Sequence, residues 1–291
     1  MTGRNPQQTE PSIGLALGGG GARGFAHLKV IEAFDDLGLR PCAIAGTSIG
    51  ALIGVAYASG ISAHEAIERT QGLIGGRRQA IRHLFASRPT SLSGLLSLTG
   101  SKGAILNAQP IVETVLPELT GRNFDTLGIP STVTATDFHA RSAMAFDSDE
   151  IVPALAASMA LPGLFSPVEI DGRFHVDGGL TNPLPYDHVH KRCDITIAID
   201  VTGGPVGDAT HRPSMMDALM GSVQIMLGAL VAARVDALPP DILIKPPVDS
   251  FRILDLFSFD EILAASQPVK ETLKRKIDRA FSAYAQKKTG A

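Results

Sequence analysis

The chain has little of what several large classes of protein need. It contains no tryptophan and three tyrosines among 291 residues, and its net charge is −3. A nucleic-acid-binding surface is usually basic and carries aromatic side chains that stack on bases, so this composition argues against such a partner. Charged residues make up 19% and apolar residues 44% of the chain, which is the balance of a globular domain.

Cysteine is scarce as well, and the two that occur are Cys42 and Cys193, each in an apolar, strand-like context. Neither belongs to a Cys-x-x-Cys pair or a Cys/His spacing that binds zinc, so we expect no structural metal site. We predict that both are reduced, buried, small apolar side chains. Residues 1–11 are polar and lack the apolar core of a signal peptide. Together these features predict a cytoplasmic protein, either free or bound at the inner face of the membrane.

Long apolar runs are also few. The most apolar stretch covers residues 223–235, which is shorter than the roughly 20 residues that a membrane-spanning helix needs, so we expect no span. A stripe of apolar residues at helical spacing surrounds it. We favour core packing for this stripe and keep a dimer or membrane contact as the alternative. Its members are Met215, Met216, Leu219, Met220, Val223, Met226, Leu227 and Leu230.

Strand-like and helix-like patterns alternate along the chain, which predicts an α/β fold with a largely parallel sheet flanked by helices. We expect a disordered segment over residues 1–11, one domain over 12–285 and a short tail over 286–291. The pair Asp171-Gly172 predicts a hairpin turn. Strands are predicted at 13–17, 42–45, 131–136, 168–170, 173–176 and 195–199, and long helices at 215–235 and 262–285.

Residues 72–108 differ from the rest of the chain because they are rich in Gly, Ser and Arg. A long irregular insertion in a compact domain usually has a function, so we predict a lid or a binding loop here. A basic stretch overlaps its start. We favour a solvated face for this stretch over attraction to anionic lipid. The residues concerned are Arg69, Arg77, Arg78, Arg82 and Arg88.

A glycine-rich loop, residues 17–24, follows the first predicted strand and opens a helix. Gly19, Gly21 and Gly24 satisfy the spacing G-x-G-x-x-G of dinucleotide-binding proteins. Backbone N–H groups at such a loop favour negative charge, which can be a pyrophosphate or the oxyanion of a transition state. A tight turn without a ligand is the third alternative. The loop alone does not choose among them.

The sequence Gly46-Thr47-Ser48-Ile49-Gly50 matches G-x-S-x-G, the sharp elbow that presents a serine Oγ above a sheet. An apolar strand precedes it and an alanine-rich helix follows. A serine that only caps the helix is the simpler alternative. The glycine-rich loop of residues 17–24 could supply an oxyanion hole, and this favours a nucleophilic serine.

A nucleophilic serine needs a proton acceptor, and the residues leave several open. The late histidines lack a clear catalytic context, which makes a Ser-His-Asp triad doubtful. Three aspartates follow strand patterns, and the pair of glycines after Asp177 permits close backbone approach, although Asp-Gly is also a common turn. The candidates are His188, His190, His211, Asp137, Asp177 and Asp200.

The glycine loop, the elbow and the later Asp177-Gly178-Gly179 occur in an order that resembles the patatin-like phospholipase family, with Ser158–Val168 similar to the stretch before its aspartate motif. This resemblance implies a three-layer fold, a lipid or ester substrate, no cofactor and no metal. It implies Ser48 as nucleophile and Asp177 as base in a dyad without histidine. It also implies an oxyanion hole from Gly19, Gly20 and Gly21. In this resemblance Arg23 and Gly24 support the oxyanion loop or contact the head group of a lipid. Gly46 and Gly50 belong to the nucleophile elbow, and Gly178 and Gly179 to the aspartate motif.

Two other functions remain open at this point. A nucleotide-dependent oxidoreductase would bind its cofactor at the glycine-rich loop of residues 17–24. A catalytically silent regulatory module would have the same fold without the activity. A homodimer is a further expectation, drawn from the apolar stripe.

Overall fold

The structure, a computed structural model, describes residues 10–86, 106–190, 192–207, 210 and 212–289. Eight strands form one sheet in this part of the chain. They are β1 (Ile13–Leu17), β2 (Ala43–Thr47), β3 (Ser131–Asp137), β4 (Ser142–Phe146), β5 (Val168–Ile170), β6 (Arg173–Asp177), β7 (Ile195–Ile199) and β8 (Ile242–Ile244). The strands β3, β2, β1, β7 and β8 lie side by side and parallel, while β4, β5 and β6 join antiparallel.

One edge of β3 brings two distant segments together. Along this edge β3 pairs first with β2, where Thr134 lies opposite Thr47, and then with β6, where Ala135 lies opposite Asp177. The opposite edge of β3 pairs with β4. The end of β2 and the end of β6 therefore meet at adjacent positions of the same strand, and the residue after Thr47 faces the start of the turn after Asp177.

Seven α-helices flank the sheet in the described residues, and a 3-10 turn, Gly21–Ala26, precedes the first. They are α1 (His27–Leu37), α2 (Ile49–Ala58), α3 (Ala63–Ala86), α4 (Gln109–Val115), α5 (Ile151–Ser158), α6 (Met215–Ala237) and α7 (Phe259–Thr289). Helices α1 and α7 pack on the large side chains of β1, β7 and β8, while α6 packs on the small side chains of the other face. The predicted α/β fold with a central, mostly parallel sheet is confirmed.

Some boundaries differ from those predicted. Strands β4 and β8 and helices α3, α4 and α5 were not predicted. Helix α3 extends to Ala86, so residues 72–86 of the predicted irregular insertion are helical. The remainder of that insertion up to residue 105 lies outside the described residues, and its function as a lid stays a prediction. Helix α7 continues to Thr289, past the predicted domain end at residue 285, and the domain bounds stay a prediction.

The prediction that the cysteines are reduced is wrong. Cys42 and Cys193 form a disulfide, with Cα atoms 6.6 Å apart. They precede β2 and β7, which lie on either side of β1, and Gly14 of β1 has no side chain between them. A Cβ on Gly14 would lie 3.3 Å from Cys193 Sγ. Disulfides are typical of oxidising compartments, so the predicted cytoplasmic location loses this support and stays a prediction.

Helix α6 differs most from its predicted packing. Three members of the predicted core stripe, Met215, Leu219 and Met226, are more than half exposed, so core packing is wrong for them. The bounds of the helix lie close to the predicted 215–235, but its apolar segment is longer than the stretch 223–235. Its segment Asp217–Ala237 is long and apolar enough to cross a membrane, by length and composition alone.

Candidate active site

Ser48 occupies the turn between β2 and α2 in a backbone conformation that side chains rarely adopt. Its φ is 54° and its ψ is −123°, a combination that glycine tolerates and serine adopts only under strain. Ile49 already belongs to α2, so the chain reverses direction at Ser48. A Cβ on Gly24 would lie 2.1 Å from Ile49 Cγ2, which means that the glycine loop packs directly on the start of this helix.

The two glycines of the elbow let strand and helix approach each other. A Cβ on Gly50 would lie 2.2 Å from the carbonyl O of Leu17. A Cβ on Gly46 would lie 2.4 Å from the Cα of Ala51. Neither position has room for a side chain, which is the physical reason for glycine before and after the serine.

Asp177 is the carboxylate that the structure brings to Ser48. Ser48 Oγ donates a hydrogen bond of 2.8 Å to Asp177 Oδ2. The other oxygen, Oδ1, accepts a hydrogen bond of 2.7 Å from the N–H of Gly179. A Cβ on Gly178 would lie 2.2 Å from the carbonyl O of Thr134. Gly178 thus lets the chain turn against β3, and the N–H of Gly179 orients the carboxylate.

Burial raises the pKa of Asp177 to about 6, although the hydrogen bonds from Gly179 and Ser48 act in the opposite direction. Removal of water disfavours the charged carboxylate, and this effect exceeds that of the two donors. A carboxylate with the ordinary pKa of 3.8 is a weak proton acceptor near neutral pH. The raised pKa brings Asp177 closer to the range in which a general base works near neutral pH.

Ser158 contacts the elbow, although no role of its own was predicted for it. It is fully buried at the end of α5, and its Oγ accepts a hydrogen bond of 2.7 Å from the N–H of Ser48. The first N–H groups of a helix have no partner within it, so Ser158 satisfies a donor that the elbow would leave free. A serine at the end of an otherwise apolar helix was the available signal, because a buried hydroxyl requires a partner.

Three buried threonines join the elbow to the aspartate motif. Thr47 Oγ1 donates a hydrogen bond of 2.7 Å to the carbonyl O of Asn182 and lies 2.6 Å from Thr134 Oγ1. Thr136 Oγ1 donates a hydrogen bond of 2.9 Å to the carbonyl O of Asp177. These bonds fix the end of β2 and the turn after β6 to the same strand, β3. The three hydroxyls therefore hold Ser48 and Asp177 at a set distance.

The glycine loop lies beside the serine, but it has fewer free amides than predicted. A Cβ on Gly19 would lie 3.5 Å from the Cβ of Ser48. The N–H of Gly19 donates a hydrogen bond of 2.9 Å to the carbonyl O of Pro183, which removes Gly19 from the predicted oxyanion donors. Gly20 and Gly21 stand at the start of the 3-10 turn, where N–H groups have no partner within the turn. These two remain as candidate donors.

Two buried side chains hold the carbonyl groups of this loop. His27 Nε2 lies 2.8 Å from the carbonyl O of Gly18, and Arg23 Nε donates a hydrogen bond of 3.4 Å to the carbonyl O of Gly20. Neither side chain is exposed to solvent. Burial lowers the pKa of His27 to about 4, so the ring is neutral near pH 7 and donates through Nε2. A head-group contact by Arg23 would require its guanidinium to leave a fully buried position.

The other candidate bases contact groups other than Ser48. The pairs are Asp137 with Arg173 at 3.2 Å, Asp200 with Thr202 at 2.6 Å, His188 with Asp187 at 3.7 Å and His190 with Thr196 at 3.4 Å. His211 lies outside the described residues. Asp177 is thus the candidate that meets the serine.

Ser48 and Asp177 line a cavity of about 430 Å³. Most of its lining is apolar, and its volume lies in the range of small-molecule sites. The apolar side chains come from the 3-10 turn, α2, α3, α4, the segment after α5 and the segment before α7. Examples are Phe25, Leu52, Ile111, Leu116, Phe165 and Phe257.

With this geometry, comparison with known proteins gives the class. The family model of patatin-like phospholipases matches residues 15–190, a stretch that contains the glycine loop, the serine elbow and Asp177. The chain belongs to the patatin-like phospholipase family.

Several relatives share larger parts of the chain. An NTE family protein of Mycobacterium tuberculosis is 36% identical over 205 residues, covering 69% of this chain and 52% of the relative. Lysophospholipase NTE1 of Saccharomyces cerevisiae is 28% identical over 292 residues, covering 86% of this chain and 16% of that protein. The human patatin-like phospholipase domain-containing protein 6 is 27% identical, with 87% and 20% covered. The chain thus spans about half the length of the mycobacterial relatives and a smaller share of the others.

Solved structures are more distant. The ExoU–SpcU complex from the type III secretion system of Pseudomonas aeruginosa is 14% identical, with a TM-score of 0.45, covering 94% of this chain and 53% of that one. VipD from Legionella pneumophila is 14% identical, with a TM-score of 0.41, covering 90% and 67%.

Proposed function

We propose that the protein hydrolyses carboxylic esters of lipids, with Ser48 as nucleophile and Asp177 as general base. The hydrogen bond between Ser48 Oγ and Asp177 Oδ2, in the lining of an apolar cavity, is the observation that carries this proposal. Membership of a phospholipase family and relatives named lysophospholipase support a lipid ester as the substrate.

In the first half-reaction, Asp177 accepts the Ser48 proton while Oγ bonds to the ester carbonyl carbon. The bond from this carbon to the leaving oxygen then breaks, and the alcohol or lysolipid departs with the proton from Asp177. In the second half-reaction, Asp177 accepts a proton from a water molecule while the oxygen of that water attacks the acyl carbon. The bond to Oγ breaks, Ser48 recovers its proton, and the fatty acid leaves.

The N–H groups of Gly20 and Gly21 stabilise the negative charge on the carbonyl oxygen in this proposal. Arg23 and His27 support them from behind, since each donates to a carbonyl of the same loop. A loop held in this way needs no rearrangement when the charge develops, and such preorganisation supplies a large part of catalysis.

A dinucleotide is the less favoured ligand for the glycine loop. Dinucleotide-binding folds place an acidic residue near the end of the second strand to bind the ribose, whereas β2 ends at Thr47 and is followed by the serine elbow. The cavity beside the loop is apolar in most of its lining, which suits an acyl chain better than a pyrophosphate.

The proposal is tested with an alkyl fluorophosphonate and a series of nitrophenyl esters. We expect covalent labelling at Ser48 and a kcat/KM that rises about fourfold for each added methylene until the cavity is filled, because burial of one methylene contributes about 0.8 kcal/mol. Ala56→Leu places extra carbon atoms in the cavity and should shorten the acyl chain at which the rise stops. Absence of labelling would indicate a catalytically silent module. A kcat/KM independent of chain length would contradict the acyl cavity.

His27 gives a further prediction, as a positioning residue of the glycine loop. His27→Leu removes the donor to Gly18 O, and we expect kcat to fall about tenfold, less than the 10²–10³ that follows loss of an oxyanion donor. The value of KM should stay within twofold, since the acyl cavity is intact. His27→Gln retains an N–H donor and should recover part of kcat. Thermal unfolding of both variants provides the control, and equal kcat values for Leu and Gln would contradict the positioning function.

A further inference from the structure

Helix α6 exposes bulky apolar side chains, while one of its polar side chains is buried. Met215, Leu219, Ile225 and Met226 are 65%, 53%, 61% and 61% exposed, while Gln224 is only 6% exposed. A surface helix of a globular protein normally has the opposite arrangement. Only 17% of the most apolar window of this helix is buried, so most of an apolar helix faces outward.

The bulky exposed side chains lie in the half of α6 that borders the active-site cavity. Leu227, the next residue along α6, lines the cavity, and its Cδ1 would lie 3.7 Å from a Cβ on Gly179. Leu254 also lines the cavity and is 37% exposed. Beyond Leu227, the exposed positions of α6 are alanines and one aspartate. The bulky exposed side chains of α6 therefore end, along the chain, at the residue before Leu227, which lines the cavity.

We propose that Met215, Leu219, Ile225, Met226 and Leu254, named here the docking face, bind the surface of a lipid bilayer. This inference rests on the proposed function, because the acyl chain of the substrate would pass from the bilayer over the docking face into the cavity. The membrane replaces water at apolar side chains that are exposed in the described part of the chain, which makes their burial favourable.

A second copy of the chain is a poorer occupant. Residues 215–226 form about 17 Å of helix, about 10 Å wide, so the exposed stripe covers about 200 Å². A stable protein interface buries about 800 Å² on each partner. The stripe alone is about four times too small, whereas shallow insertion into a bilayer requires no minimum interface.

The helix lies along the domain and is held there, so we expect it to rest in the membrane surface and not to span the bilayer. Val231 is buried, and Arg234 donates hydrogen bonds to Asn182 Oδ1 at 2.8 Å and Thr181 O at 3.1 Å. Tyr186 Oη donates a hydrogen bond of 2.8 Å to Leu238 O just after the helix. These contacts anchor the end of α6 away from the docking face.

Charges around the docking face have both signs. Asp217 lies in the first turn of α6, where the hydrogen bond from Ser214 Oγ and, to a smaller extent, the positive charge of Arg252 hold its pKa below the ordinary value. Asp255 follows in the same segment as Leu254. With no excess of positive charge among the described residues there, binding should depend on apolar contact and change little with salt or with anionic lipid.

The absence of tryptophan in the chain permits a direct test. We expect Met226→Trp to show a blue-shifted emission and quenching by brominated lipid when phosphatidylcholine vesicles are added. The matched control is Leu37→Trp, at the far end of α1 and 40% exposed, whose emission should not change. Equal responses of the two variants, or no response of Met226→Trp, would overturn the proposal.

Binding is measured by vesicle flotation with Ile225→Glu/Met226→Glu, neither of which lines the cavity. We expect a loss of vesicle binding of about tenfold or more, since two apolar side chains no longer insert. Turnover of a soluble butyrate ester should stay within twofold, which also shows that the variant folds. Leu37→Glu should bind vesicles as the unaltered protein does. A milder variant, Ile225→Gln, should give a smaller loss in the same direction if the double variant is unstable.

Three outcomes would contradict the docking face. Unchanged flotation of the folded double variant would exclude these residues. A dimer in light scattering that the double variant abolishes, without vesicle binding by the unaltered protein, would assign the face to a second copy. Resistance to carbonate extraction would indicate a spanning helix. Ser48→Ala should still float with vesicles, so failure of the proposed catalysis and failure of docking are separable.

Discussion

Ser48→Ala should lower the turnover of a nitrophenyl butyrate by at least about 10⁴, because removal of a nucleophilic serine in other serine hydrolases costs about 10⁶ in kcat. The alanine leaves Asp177 and the glycine loop in place, but no atom remains to form the acyl-enzyme. Steady-state assays with the purified variant measure this loss, and fluorophosphonate labelling should disappear in parallel.

Ser48→Gly makes the same prediction sharper, because it separates chemistry from strain. Ser48 has a φ of 54°, which glycine adopts without a steric penalty. We expect the glycine variant to be as inactive as the alanine variant and more stable, by roughly 1 kcal/mol in the free energy of unfolding. Chemical denaturation compares the three proteins. If either variant keeps near-normal turnover, Ser48 is not the nucleophile.

The strands at the site follow closely from local sequence. Both β1 and β7 begin and end at their predicted residues, since each is a short run of buried apolar side chains between polar or glycine-rich segments. The hairpin at Asp171-Gly172 was also predictable, because these residues accept the positive φ values of 52° and 71° that the turn adopts. Local conformational preferences decide such features.

The meeting of Ser48 with Asp177 depends on strand order, which local patterns do not contain. Asp137 and Asp200 also follow strands, but only Asp177 ends a strand that continues the edge of β3 from the end of β2. Residue patterns left these aspartates unranked, and family resemblance selected Asp177. The disulfide was missed for the same reason, since Cys42 and Cys193 meet only because β1 lies between β2 and β7.

Other features could not be predicted from the sequence, because they depend on which N–H groups stay without a partner and which side chains stay exposed after folding. The N–H of Gly19 is bound by Pro183, a residue far along the chain, so the glycine motif overstated the number of oxyanion donors. Helix α6 shows the same limit for surfaces. Periodicity identified its apolar stripe correctly, but periodicity cannot tell whether an apolar side faces a core or a membrane.

Asp177→Asn should lower kcat by about 10³ or more, because an amide cannot accept the Ser48 proton and general-base catalysis contributes up to about 10⁴. The Asn side chain can still accept from the N–H of Gly179, so the turn should keep its shape. Steady-state turnover of the butyrate ester measures the loss. Asp137→Asn, at another strand end of the sheet, is the matched control and should retain most of its activity.

The raised pKa of Asp177, about 6, predicts the pH dependence of the unaltered enzyme. Below pH 6 the carboxylate is protonated and cannot act as base, so kcat/KM should fall as pH decreases through this value. A pH–rate profile without an inflection between about pH 5 and 7 would contradict the assignment, since the free enzyme's essential base controls kcat/KM.

The same raised pKa predicts that the charged Asp177 carboxylate lowers the free energy of unfolding at neutral pH. Its pKa is higher in the folded state than the ordinary value of 3.8, so folding favours the protonated form. This contribution to stability is fully present below pH 3.8 and is lost as pH rises through about 6. At pH 7 the Asn variant should therefore be more stable than the unaltered protein, by up to about 3 kcal/mol at about 1.4 kcal/mol per pKa unit. The difference in stability between the two proteins should shrink as pH decreases from 6 toward 4. Denaturant unfolding at pH 7 and at pH 4 measures it. An Asn variant that is inactive and less stable at pH 7 would show that the carboxylate is needed for the fold, and its loss of activity would then say nothing about proton transfer.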